Sequence, residues 1–66
     1  MTKKQEEQII QKRYLPAFRL VKISYVAMSK VKEVHDWTIL QGMSEETADR
    51  IRDKAFTIFH KEVLNG

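Results

Sequence analysis

Residues 16–40 read PAFRLVKISYVAMSKVKEVHDWTIL, and this stretch decides the fold. Leu20, Ser24, Ala27, Val31, Val34 and Thr38 recur at alternating spacings of four and three, the pattern of a helical seam facing another helix. The small residues Ser24 and Ala27 let that neighbour approach closely. Val21, Met28 and Ile39 widen the apolar side in one direction, and Ile23 widens it in the other. The spacing predicts one helix over about 16–40 with a stripe broader than a single neighbour of similar length covers. A second contact is implied, either the N-terminal segment or another copy of the chain, and a homodimer is the expectation.

Two breakers, Pro16 and Gly42, bound this stretch and divide the sequence into three helical pieces. The last is expected over about 45–64. Ser44 is a good N-cap, and Glu45 and Glu46 follow where carboxylates meet the positive end of the helix dipole. Met43 can fold back on Ala48 as a hydrophobic staple. Ala48, Ile51, Ala55, Ile58, Phe59 and Val63 then recur on one side, opposite Arg50, Lys54, Lys61, Glu46, Asp49 and Asp53. The first piece, about 3–14, has a capping-box pattern in Thr2 and Gln5 but little apolar content beyond Ile9, Ile10, Tyr14 and Leu15. Pro16 either starts the middle helix or kinks a longer one by removing the bond to the Lys12 carbonyl. The expected fold is all-α. It is a single domain, an antiparallel hairpin of helices 16–40 and 45–64 with the N-terminal helix packed across it or continuing through a kink, and it is dimeric.

At 66 residues the core is thin, and the chain has no cysteine to reinforce it with disulfides or thiolate metal sites. His35 and His60 lack metal-ligand spacing, so neither a metal nor a cofactor is expected. No stretch approaches the roughly 18 apolar residues that span a bilayer, and the N-terminus has no secretory apolar segment. The expectation is a cytoplasmic protein with no membrane contact. The net charge of +3 is unevenly spread. Residues 1–34 carry eight Lys/Arg against three acids, +5, and residues 35–66 carry four against six, −2. A basic first half and an acidic second half suggest different roles, or solvated faces that attract weakly.

The string Gly42-Met43-Ser44-Glu45-Glu46-Thr47-Ala48-Asp49-Arg50-Ile51 resembles the turn and recognition helix of helix-turn-helix DNA-binding proteins. There, glycine permits the turn, apolar positions lock two helices together, and polar ones project into the major groove. The resemblance implies that Ser44, Glu45, Thr47 and Arg50 face DNA. The sequence departs from the pattern at Thr38 and Gln41, where a small and an apolar residue belong. Glu45, Glu46 and Asp49 also repel phosphates. On a continuous middle helix, Arg19, Lys22, Val26, Lys30 and Trp37 share an exposed strip with Ser29 and Glu33, able to track phosphates or to meet an acidic protein groove. The alternative is that the lysines only keep the helix soluble while Trp37 closes the helical corner near Gly42. Lys3, Lys4, Lys12 and Arg13 suggest a basic arm diluted by Glu6 and Glu7, that is, a solvated helix face.

His35-Asp36 has the look of an activated base, but no nucleophile, phosphate loop or carboxylate pair accompanies it. His35 is expected to be a packed core histidine, and neither enzyme activity nor a small-molecule substrate is expected. Two functions follow. The first is a small DNA-binding, transcription-type regulator acting through Arg19, Lys22, Lys30, Ser44, Thr47 and Arg50. The alternative is a protein-binding inhibitor or adaptor that masks a larger target with Val26, Trp37 and Phe56.

Overall fold

The computed structural model describes residues 2–66, and its regular elements are all helical. α1 (Lys3–Ile9), a π-helical turn (Ile10–Tyr14) and α2 (Leu15–Ile23) follow one another without a gap. A 3-10 turn (Tyr25–Ala27), α3 (Met28–Leu40) and α4 (Glu45–Asn65) complete the chain. The all-α class expected from the hydrophobic periodicity is thus observed.

α1 begins with the capping box. Thr2 Oγ1 accepts the Gln5 N–H at 3.2 Å, and Gln5 Oε1 accepts the Thr2 N–H at 3.0 Å. The helix does not stop near residue 14 but continues through Pro16. In a regular α-helix the proline ring would strike the Lys12 carbonyl. The π turn gives it room, because the Leu15 N–H donates to the Ile10 carbonyl five residues back. Pro16 therefore lies in the first turn of α2, neither founding a separate helix nor ending one. The extra residue in that turn also resets the helical phase by about 100°. Ile9, Ile10, Tyr14, Leu15, Ala17 and Phe18, which a strict 3.6-residue period would scatter, are consequently all buried.

The continuous helix expected over 16–40 does not form. It breaks at Ser24, which is extended (φ −143°, ψ 122°). The run Ile23-Ser24-Tyr25-Val26 combines β-branched, hydroxyl and aromatic side chains, all weak helix formers. The Ala27 N–H donates to the Ser24 carbonyl at 3.0 Å and closes the 3-10 turn. Of the expected seam, Leu20 and Ser24 are therefore exposed, Val34 is half-buried, and Val31 and Thr38 reach the core.

α3 ends where Gly42 takes a φ of 98°, a left-handed conformation that glycine adopts without a Cβ penalty. Ser44 then caps α4, its Oγ accepting the Thr47 N–H at 3.1 Å. Ala48, Ile51 and Ala55 are wholly buried, and Met43, Ile58 and Phe59 pack against the core. Val63, expected on the same side, is 40% exposed.

Cross-pairs fix the course of the chain. Glu6 meets Arg50 and Lys54, Phe18 meets Phe56 and Phe59, and Arg19 meets Glu62, so α4 runs alongside α1–α2 in the same direction. Arg13 meets Trp37, and Gln5 and Ile9 share a cleft with Gln41 and Met43, so α3 runs the opposite way. Six of the ten buried apolar residues lie between Ile9 and Phe18. The stretch from Ile9 to Phe18, which joins the end of the expected N-terminal helix to the start of the expected middle one, is the largest contributor to the core.

Candidate functional site

The six residues expected to touch nucleic acid are spread over α2, α3 and the start of α4. Three of the four cations among them already hold carboxylates. Arg19 forms a fork with Glu62, Nη2 to Oε1 at 2.7 Å and Nε to Oε2 at 3.2 Å. Hydrogen bonding from Arg19 holds the Glu62 carboxyl below the usual carboxylate range, and the same bond raises the Arg19 pKa. Arg50 Nη1 donates to Glu6 Oε1 at 2.9 Å, and Lys30 Nζ lies 3.5 Å from Glu33. Lys22 is exposed near Glu62. Because the helix breaks at Ser24, the strip from Arg19 to Trp37 is not one helix face. Its two ends belong to different helices.

Ser44 and Thr47 are engaged with each other. Ser44 Oγ donates to Thr47 Oγ1 at 2.9 Å while accepting the Thr47 N–H. Both hydroxyls thus serve the helix cap, beside the exposed Glu45 and Glu46.

The three residues expected to bind a protein partner lie apart. Phe56 is 46% exposed and packs one ring edge of the core, 5.7 Å from Phe18 and 6.1 Å from His60 between centroids. Trp37 is half-buried, and the Arg13 guanidinium sits over its ring, 4.2 Å from the centroid. The two line an open cleft of about 550 Å³ with Lys12, Gln8, Gln41 and Met43. Of the two places sequence reasoning left open for Trp37, the end of an exposed strip and the corner near Gly42, it lies at the corner, and its partnership with Arg13 was missed. The missing signal is the phase shift of the π turn, which no plain helical wheel contains.

Val26 belongs to the most apolar exposed surface. Ile23 is 85% exposed, Tyr25 83% and Val26 82%, at the corner where α2 turns into α3. Leu20, Ile23, Val26 and Ala27 line a shallow groove of about 290 Å³ whose rim includes Lys30. The poor helix formers at 23–26 could have revealed this corner from sequence. The seam reading instead placed Leu20, Ile23 and Ser24 on the buried side and left Val26 alone on the exposed strip.

His35, expected as a packed core histidine, is half-buried at the edge of the core, with Nε2 2.6 Å from Asp49 Oδ1 and Nδ1 4.0 Å from Asp36 Oδ1. It ties α3 to α4. Among the described residues no three His, Cys, Asp or Glu side chains converge to hold a metal, and no helix is long and apolar enough to cross a membrane. Comparison of the chain with protein-family models, curated proteins and solved structures finds no match.

Proposed function

We propose that this protein acts by binding, without catalysis, and that it docks through the α2–α3 corner onto an apolar face of a larger protein edged with carboxylates. The exposure of Ile23, Tyr25 and Val26 within four consecutive positions carries this reading. Contiguous apolar surface of this kind marks interaction sites in small folded proteins. Lys22 and Lys32, close by in the chain, are exposed and stand outside the ion pairs of the described residues, which favours an acidic rim on the partner. A second copy, docked with two-fold symmetry on the same corner, would bring both copies' lysines into one interface. A homodimer, built on the α3–α4 hairpin or on this corner, is therefore the less supported arrangement.

DNA binding has weaker support. Arg19, Lys30 and Arg50 would have to give up carboxylates in the same chain, and Ser44 and Thr47 their cap. What favours it is the glycine turn followed by a capped helix, as in the helix-turn-helix resemblance.

A photo-crosslinking residue placed at position 26, with position 61 as control, tests the docking surface in cells. The expected result is one dominant protein adduct from position 26 that disappears with Ile23→Ser. Equal adducts from both positions would overturn the reading. Sedimentation equilibrium addresses the second copy: a dimer that Ile23→Ser dissociates replaces the larger target with self-association. Salt-sensitive retention on duplex DNA, unchanged by Ile23→Ser, would restore the regulator reading.

A further inference from the structure

We propose that the cleft around Arg13 and Trp37 is a second binding site, separate from the apolar corner, for a small phosphorylated ligand carrying a flat heterocycle, the nucleotide class of compound. Charge is the first observation. Arg19, Arg50 and Arg52 each hold a carboxylate, whereas Arg13, among the described residues, has none and rests on Trp37 instead. Lys12 stands beside it, and no Asp or Glu lines the cleft. Two cations without local neutralisation form a place for an anion.

Shape and surface chemistry narrow the ligand further. A guanidinium stacked on an indole keeps its N–H groups in one plane, free at their edge for bidentate contact with phosphate oxygens. Arg13 is exposed, so a flat ring can extend the stack that Trp37 begins. Gln5, Gln8 and Gln41 bring carboxamides to the same walls, suited to the donor and acceptor edge of a heterocycle. The Gln5 oxygen is committed to the Thr2 N–H, which leaves its NH₂ group to donate. Ile9 and Met43 supply apolar wall, and the volume of about 550 Å³ falls in the size range of small-ligand sites. Gly42 adds open space, since nothing lies within 4 Å of where a Cβ would stand.

Trp37 is the only tryptophan, so its emission reports on the cleft. The test is titration of the intact chain, at low salt, with each of the four ribonucleoside monophosphates, with inorganic phosphate and with the matching nucleosides. At least one nucleotide should change the emission saturably, with affinity about tenfold above that of its nucleoside or of phosphate, because each of these offers only part of the contacts. Lys12→Gln and Arg13→Gln should each weaken that nucleotide by about tenfold, with thermal melting by circular dichroism unchanged. If Arg13→Gln lowers the melting temperature, Lys12→Gln alone decides. Three results overturn the site: no saturable change with any nucleotide, nucleotides binding no better than phosphate, or full affinity in the Lys12→Gln protein.

Discussion

Arg50 Nη1 lies 2.9 Å from Glu6 Oε1, joining the first turn of the N-terminal rod to α4. The Glu6 side chain is only 11% exposed while that of Arg50 is 61% exposed, so the pair is asymmetric. Lys54 Nζ, 3.8 Å from the same oxygen, is a reserve partner. Arg50→Ala should therefore cost only about 0.5–1 kcal/mol, as for an exposed pair. Arg50→Ala with Lys54→Ala should cost more than the sum of the two, by about 1–2 kcal/mol, since a buried carboxylate is then left unpaired. Urea unfolding of the two single variants and the double variant measures the difference. Simple additivity would show that Glu6 finds water instead.

The Tyr14 ring is wholly buried, and its hydroxyl has no hydrogen-bond partner among the described residues. Thr38, whose own hydroxyl donates to the Val34 carbonyl at 2.8 Å, approaches the Tyr14 hydroxyl without closing a hydrogen bond to it. An unpaired buried hydroxyl costs about 1–3 kcal/mol, so Tyr14→Phe should leave stability unchanged or raise it by up to about 1 kcal/mol. Tyr14→Ala should cost about 3–5 kcal/mol through the cavity it leaves. Burial raises the Tyr14 pKa in the folded chain above its ordinary value. The folded state thus holds its proton at a pH where the unfolded chain releases it, so stability falls as pH rises above about 10. Tyr14→Phe should flatten that alkaline decline, which pH-dependent urea midpoints would reveal. An identical decline in both proteins would assign it to other groups.

Gly42 separates space from backbone strain. A Cβ there meets nothing within 4 Å, yet the residue has φ 98°. Gly42→Ala should therefore destabilise by about 1–2 kcal/mol through conformation alone. Gly42→Asn should cost less, because asparagine tolerates left-handed backbone better. Thermal melts of both variants check the order.

How far the sequence could be read depended on whether local chemistry or tertiary phase was in control. The Ser44 cap, the Gly42 stop and the Ala48–Ile51–Ala55 face are local, and α4 at Glu45–Asn65 lies within a residue of its expected bounds. The Thr2 capping box is local too. The break at Ser24 was also local, but Leu20, Ser24 and Ala27 matched a seam so well that the weak helix propensity of Ile23–Val26 was passed over. At Pro16 the deciding factor was long-range. Only the need to bury Ile9, Ile10, Tyr14 and Phe18 against α4 selects a π turn over a kink or a fresh helix start. For the candidate sites, the positions of Val26 and Trp37 were legible as exposed or corner residues. The Arg13 stack and the carboxylates opposite Arg19 and Arg50 depend on contacts more than 20 residues apart in sequence, which spacing rules do not reach.

The π turn makes the sharpest prediction. Gln11 lies within it and is exposed. Deleting one residue there would convert the wide turn to a regular α-helix while keeping Ile9 and Ile10 in phase with Tyr14 and Phe18. The proline ring would then meet the carbonyl four residues before it, at a cost of about 3 kcal/mol. Deletion of Gln11 should thus strongly destabilise the chain when Pro16 is present. The same deletion in a Pro16→Ala background should be tolerated to within about 1 kcal/mol. Pro16→Ala alone should keep the π turn, because the buried face still demands the phase shift, and its stability should change little. Chemical denaturation of the three variants provides the comparison. If the deletion is equally damaging with and without Pro16, the turn is held by something other than the proline and the packing of Tyr14 and Phe18.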